Sequence, residues 1–430
     1  MIFSMRKIID RLLNTAERIL KTDIRYILRG GAWLSLGQVI SAISSLALSI
    51  AFARLLPKEV YGLYKYILSI ASLLMIPTLT GIDTAVAQAI ARGKESSLYT
   101  GLFTKIRWGT LGALLSLLVG GYYFLNGNLT LTFSFLIVAV FLPFTEAFDI
   151  YNSLLQGRKL FKSFTFANSA TQILSVVSII VGLFFTKNVP ILIGIYFLSN
   201  TVLNGIFLLY SIRAYKPNHE DDPSVIPYGK HLTFINVLGL ILGQIDSILV
   251  FHYLGGIELA IYAFAVAPTD QVKGFLKNIT FITLPKFASR PIDEVRGSIF
   301  RKMLWLCVFV SAAVIAYIII APPAFNLLFP AYHDSVIYSQ ILSLSLIPVI
   351  LAMFLYVFFE SHTLKKELYQ YNVFNNIATV IILFPMIYFF GLWGAVLARL
   401  ATRFLLFGFS VFLVKRIPII DSLQSSQTQS

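Results

Sequence analysis

The stretch IELAIYAFAVAPTDQVKGFLKNITFITLP, residues 257–285, has the length and apolar content of one membrane-spanning helix, yet Asp270, Lys273 and Lys277 lie along it. At 3.6 residues per turn these three positions fall within roughly 60° of one another, so they form one charged stripe on an apolar rod. A charge at bilayer depth costs about 2.5–3.5 kcal/mol on insertion scales and must face protein or a water-filled cavity. Two cations and one anion in that place suit an anionic group that moves through a membrane.

The rest of the chain agrees with a membrane setting. Its 430 residues are 57% hydrophobic and 13% charged, with a mean hydropathy of +0.79. Soluble domains are about 45–50% apolar and about 25% charged. A bilayer core needs ~20 apolar residues per helix, and the chain supplies such runs repeatedly. A β-barrel would show weak alternating segments of ~10 residues, which are not seen. The single cysteine, Cys307, excludes an intrachain disulfide, and the five scattered histidines offer no paired metal-ligand spacing. No cofactor and no metal are expected.

Outward from the stripe, the hydropathy pattern predicts twelve spans: about 32–53, 64–91, 109–125, 131–154, 165–186, 190–211, 232–254, 259–284, 302–321, 336–359, 373–389 and 392–414. Residues 1–29 come before them, with Arg6, Lys7, Arg11, Arg18, Lys21, Arg25 and Arg29 on one side and Ile8, Ile9, Leu12, Leu13, Ile19 and Leu20 on the other. They read as a basic amphipathic helix on an anionic lipid surface. Of the 34 Lys and Arg, 26 fall in alternate loops beginning with the N-terminus, four in the intervening loops and four within spans. The positive-inside rule then puts both termini in the cytoplasm of a multi-pass cell-membrane protein. It also accounts for the net charge of +14 by topology and lipid contact, without nucleic acid.

The longest polar loop, 212–230, divides the spans six and six. The expected organisation is a 1–29 interfacial helix, a 30–211 lobe, a 212–231 cytoplasmic linker, a 232–414 lobe and a 415–430 cytoplasmic tail. An internal repeat supports the division. Leu56 to Tyr64 (LPKEVYGLY) and Leu254 to Tyr262 (LGGIELAIY) align at an offset of 198, which also pairs Arg92 with Arg290. Both halves have six spans and start inside, so the repeat is parallel, with its axis along the membrane normal. Two such bundles would enclose a central cavity.

Several motifs, in order, resemble one family. Gly30-Gly31-Ala32-Trp33 and Ala53-Arg54-Leu55-Leu56-Pro57-Lys58-Glu59-Val60-Tyr61-Gly62-Leu63-Tyr64 are similar to the start of the Wzx-type polysaccharide and O-antigen flippases. Gly81-Ile82-Asp83-Thr84-Ala85, Gln156-Gly157-Arg158, Leu328-Phe329-Pro330-Ala331-Tyr332 and Gly391-Leu392-Trp393-Gly394-Ala395 resemble their later signatures. Many relatives carry Arg where Gln88 stands and Ser or Thr where Asp83 stands. These flippases belong to the multidrug/oligosaccharidyl-lipid/polysaccharide exporter superfamily. The resemblance implies a twelve-helix, two-lobed, alternating-access transporter. Its substrate would be an undecaprenyl- or other polyprenyl-pyrophosphate-linked oligosaccharide, turned from the cytoplasmic to the outer leaflet for surface polysaccharide biosynthesis. A polysaccharide polymerase would be its protein partner.

Each charged intramembrane residue has two readings. Lys273 and Lys277 hold a pyrophosphate, or Lys273 pairs with Asp270 at i, i+3 while Lys277 snorkels to the surface. Asp270 is an ion-coupling group or a counter-ion, and Asp246 in span seven is a coupling carboxylate or part of an ion pair with Lys273. Arg399 and Arg403, one turn apart in span twelve, contact phosphate or sugar, or pair with acids on neighbouring helices. Asp83, Glu146 and Asp149 form gating pairs with basic loops, or static bridges. Gln38, with Gly37, Ser41, Ser45 and Ser49, lines a polar wall or a small-residue packing face.

No GxxxxGK[ST] loop is present, so ATP does not drive the protein directly, and H+ or Na+ is the expected coupling ion. No catalytic residues are assigned, because the longest outer loops, 54–65 and 322–335, are too short for a sugar polymerase. A multidrug antiporter of the same superfamily is the alternative function. It would need an acidic or aromatic cavity, which the lysine stripe opposes.

Overall fold

A computed structural model describes residues 24–288 and 292–417; the side chains of 24–29, 275–286, 288 and 293 are also outside the description. The expected amphipathic helix at 1–29 falls almost wholly outside the described residues, as does most of the 415–430 tail. The described residues are helical, with no strand among them. The α-helices run α1 Ile24–Leu55, α2 Lys58–Leu74, α3 Gly81–Ala91, α4 Ser97–Leu125, α5 Leu129–Phe148, α6 Tyr151–Gly157, α7 Phe161–Phe185 and α8 Val189–Tyr215. They continue as α9 Val225–Leu242, α10 Ile245–Leu254, α11 Gly256–Ala288, α12 Ile292–Leu328, α13 Ser335–Leu344, α14 Leu346–Ser361 and α15 Lys365–Arg416.

Ten stretches among the described residues are long and apolar enough to cross a membrane, against twelve expected spans. The difference has two physical sources. Span eight corresponds to α11, whose charges fall inside its apolar run. Spans eleven and twelve are merged in α15, which continues past Gly391, a residue with the non-helical φ of 57°. Span two is shorter than read: Pro77 sits in a 3-10 turn, Ile76–Thr78, that separates α2 from α3. Span three is longer, because α4 begins at Ser97 and takes in Lys105 and Arg107, which the sequence assigns to a loop. Large apolar side chains such as Leu118, Phe184, Phe234 and Phe309 are exposed, as the lipid-facing surface of a multi-pass membrane protein requires.

The chain forms two compact units. The first comprises the described residues up to Ala263, with Leu328–Ala331; the second comprises Phe264–Leu327 and the described residues from Tyr332. In the first, α4 packs on α5, α5 on α8, α1 on α7, and α3 on both α6 and α9. Its core lies along one face of α3, where Ile82, Val86 and Ala89 are fully buried against Tyr151 and Leu154 of α6. The second unit packs Val295 and Ile299 of α12, Leu355 and Phe358 of α14, and Val414 of α15 into another core.

Within the first unit, the two repeated turns meet. A Cβ on Gly62 would lie 1.8 Å from the Gly256 carbonyl oxygen, so only glycine allows α2 and the start of α11 this approach. One turn further on, Tyr66 stacks on Phe251 with ring centroids 3.8 Å apart.

The polar segment after α8 is tied down within the same unit. Asn218 Nδ2 donates to the Gly93 carbonyl at 2.8 Å, and Ser97 Oγ donates to Asp221 at 3.0 Å. Arg92 reaches Asp222 at 2.6 Å, and Lys94 reaches Glu220 at 2.7 Å. Glu95 takes a two-pronged ion pair from Arg158 at 2.6 and 2.5 Å and accepts the Asn218 backbone N–H at 2.9 Å. The Glu95–Arg158 pair thereby joins the end of α3 to the end of α6.

The Arg158 hydrogen bonds hold the Glu95 carboxyl below the usual carboxylate range. A depressed folded-state value stabilises the fold above the unfolded value of about 4.3, and the contribution is lost as pH falls below that. Hydrogen bonds to charged groups contribute about 1.5–3 kcal/mol. Glu95→Gln therefore lowers stability by about that much at pH 7, and the gap from wild type narrows as pH falls below about 4.3. Thermal melting in detergent at several pH values reads this; a gap independent of pH would contradict it.

Candidate functional site

Two polar clusters stand out, one in each unit. The first unit has a cavity of about 610 Å³. Its walls follow from helical spacing. On α3, Ile82, Ala85, Val86 and Ala89 point into the core, which turns Asp83, Thr84, Ala87, Gln88 and Ala91 to the cavity. On and just before α6, Tyr151, Leu154 and Leu155 are buried, while Asp149, Asn152 and Gln156 line the cavity. Ser153, Gly157 and Lys159, and Phe164 and Asn168 one turn apart on α7, complete the wall.

Behind the wall lies Lys105, with none of its side chain exposed. Its Nζ donates to both oxygens of Asp83, at 2.9 and 2.8 Å. Glu146 and Asp149 lie within electrostatic reach of the same ammonium. A lone lysine could not be buried charged; several acids around it make that possible. Asn152 Nδ2 donates to Asp149 at 2.7 Å, and Asn168 Nδ2 to Asn152 Oδ1 at 2.7 Å. The amides are thus fixed in orientation.

The second cluster unites the stripe on α11 with the arginines of α15. Lys273 Nζ donates to Asp270 Oδ1 at 2.8 Å, and Arg399 donates to the same oxygen at 3.1 Å. Arg403 is within electrostatic reach of Asp270 and Lys273, and its Nη1 lies 3.4 Å from Asn375 Oδ1. Lys273, Arg399 and Arg403 thus all lie within reach of Asp270. Lys277 is on the same helix, but its side chain is outside the described residues.

Two other sequence candidates, Asp246 and Gln38, belong to the first unit. Asp246, at the start of α10, accepts the Tyr262 hydroxyl at 2.7 Å and the Ser247 N–H at 2.8 Å. Gln38 is half-buried on α1, where Gly37 packs against Thr165 of α7. The sequence reading missed Lys105, Asn152 and Asn168. The available signal was the polar spacing Asp83, Thr84, Gln88 and Asp149, Asn152, Gln156, each on one face of a helix. Among the described residues no group of His, Cys, Asp and Glu is arranged to hold a metal ion.

Comparison with known proteins agrees with this architecture. The chain is similar to a multidrug resistance MATE family transporter of the MOP superfamily in its inward-facing conformation, with a TM-score of 0.61 and 13% identity, over 91% of this chain and 96% of that one. An outward-facing conformation gives a TM-score of 0.58 and 15% identity, over 93% and 97%. A MOP superfamily transporter from Pyrococcus furiosus, described as having a binding pocket of reverse polarity, gives 0.56 and 14%, also over 93% and 97%. At such identities these likenesses establish the fold alone. No curated protein matches in sequence. Residues 27–290, more than half of the chain, match the polysaccharide biosynthesis protein family. With the MOP-type fold and a family match of that extent, the chain belongs to the polysaccharide biosynthesis protein family.

Proposed function

We propose that this protein moves polyprenyl-pyrophosphate-linked oligosaccharide from the cytoplasmic to the outer leaflet of the cell membrane, by alternating access and coupled to H+ or Na+. The observation that carries this reading is the Asp270–Lys273–Arg399–Arg403 cluster, three cations about one carboxylate within α11 and α15. Guanidinium and ammonium groups together suit a pyrophosphate: arginine offers a planar fork and lysine a point charge. The family match supplies the polysaccharide context. Counting α11 as a span and dividing α15 at Gly391 raises the ten stretches to the twelve of a two-lobed exporter. In this reading both termini are cytoplasmic, lipid-linked oligosaccharide is the ligand, a polysaccharide polymerase is the downstream partner, and the protein is a transporter rather than an enzyme.

Export of cationic drugs is disfavoured by the same cluster, since a net positive site repels such cargo. Purified protein in liposomes, given a fluorescent polyprenyl-pyrophosphate oligosaccharide, is expected to move it between leaflets faster than empty vesicles do. The rate is expected to change when a pH or Na+ gradient is imposed. Equal rates with and without protein would overturn the assignment; indifference to both gradients would remove the coupling.

A further inference from the structure

The cavity of the first unit has a different chemistry from the cationic cluster of the second. Three helices and the residues at their ends line it with carboxylates, amides, the hydroxyls of Thr84 and Ser153, the Lys159 ammonium and one aromatic ring, and its volume of about 610 Å³ is within the range of small-molecule sites, roughly 300–1,000 Å³. We infer that this cavity is a glycan subsite, taking sugar hydroxyls of the transported oligosaccharide. The inference rests on the transport reading above.

The chemistry favours a sugar over the two other simple occupants. An anion would meet two carboxylates, Asp83 and Asp149, against the one ammonium in the lining, Lys159, with Lys105 already committed behind the wall to both oxygens of Asp83. A metal ion needs several oxygens converging on one point, and among the described residues no such acid or histidine group is present. A sugar hydroxyl is donor and acceptor at once. Carboxylates accept from it, and amides both donate and accept.

The groups are also held in place for that task. Lys105 fixes Asp83, and an ionised carboxylate has about four acceptor sites, so lone pairs remain for the cavity. The Asp149–Asn152–Asn168 chain of hydrogen bonds orients two amides beforehand. Phe164 provides an apolar face of the kind that sugar C–H groups cover. Gln88 on α3 and Gln156 on α6 are exposed in the lining, where their amides can reach a bound ring. Preorganised polar groups with little entropy left to lose are what give a subsite discrimination.

The test compares two lipids in liposomes containing the full-length protein. One is a polyprenyl pyrophosphate with a single sugar; the other carries the complete repeat unit, extracted from cells that make the protein. The double variant Gln88→Ala, Gln156→Ala is expected to lower the ratio of repeat-unit to single-sugar transport about tenfold, the effect of losing two hydrogen bonds of about 0.7 kcal/mol each. Gln156→Trp fills the cavity from an exposed position, where the fold tolerates the change, and is expected to lower the ratio at least as far. Lys273→Gln with Arg399→Gln lowers both rates together and leaves the ratio in place. A ratio unmoved in both cavity variants would overturn the glycan subsite alone. Wild-type protein that transports neither lipid would overturn the transport reading and the subsite with it.

Discussion

Replacing Lys273 and Arg399 together with Gln lowers transport of pyrophosphate-linked oligosaccharide about a hundredfold or more. Each side chain is a charged donor, and a hydrogen bond to a charged group contributes about 1.5–3 kcal/mol. Two such losses amount to about 3–6 kcal/mol, or at least two powers of ten in binding. Both groups already meet at one oxygen of Asp270, so a phosphate entering there finds them ordered and pays little to gather them. Surface polysaccharide in cells and lipid transfer in liposomes both read the effect, once membrane levels of the variant are matched. Normal export with both charges removed would sink the pyrophosphate site.

Asp270→Asn separates the two roles of that carboxylate. As a counter-ion, Asp270 competes with the substrate for Lys273 and Arg399, so its loss strengthens binding of the pyrophosphate. As a coupling group, its loss abolishes the response to an ion gradient and leaves downhill transfer intact. Affinity and gradient response, measured on one preparation, report the two roles separately. Lys277→Gln added to Lys273→Gln extends the test to the remaining lysine of the stripe.

How much of this was legible in the sequence depends on distance along the chain. The stripe on residues 270–277 follows from helical periodicity, because its members are three and four residues apart. That Arg399 completes it could not be read, since 129 residues separate it from Asp270 and no local pattern encodes their meeting. Lys105 was hidden for a different reason. Hydropathy averaging counts a charge as evidence of a loop, and the acid that neutralises this one, Asp83, lies 22 residues away on another helix. The face of α3 was legible in principle: its apolar and polar residues separate at helical spacing, but a span-length average conceals them. The helical class and its apolar spans were legible because the bilayer imposes them on composition directly. The break inside span two was only half visible: Pro77 announced a distortion, not a 3-10 turn with a new helix after it.

Lys105→Met carries the largest expected cost to the fold. The native ammonium is fully buried, with both Asp83 oxygens on it and Glu146 and Asp149 in electrostatic reach. Removing one partner of a buried pair costs about 3–5 kcal/mol, because the other charge is left uncompensated. Here three acids lose one cation, so the cost falls at the upper end of that range. It is expected as low membrane yield and a melting temperature in detergent lowered by several degrees. Adding Asp83→Asn to Lys105→Met removes the stranded carboxylate. The double variant is therefore expected to recover at least half of the lost stability, a coupling that a double-mutant cycle measures directly. If the losses simply add, the Lys105–Asp83 pair is not what holds this wall. Recovery of stability without recovery of repeat-unit transport is the combination the structure leads one to expect. The amide that replaces the Asp83 carboxylate is neutral and no longer oriented from behind, so the cavity keeps its shape but loses its charged, fixed acceptor for the sugar.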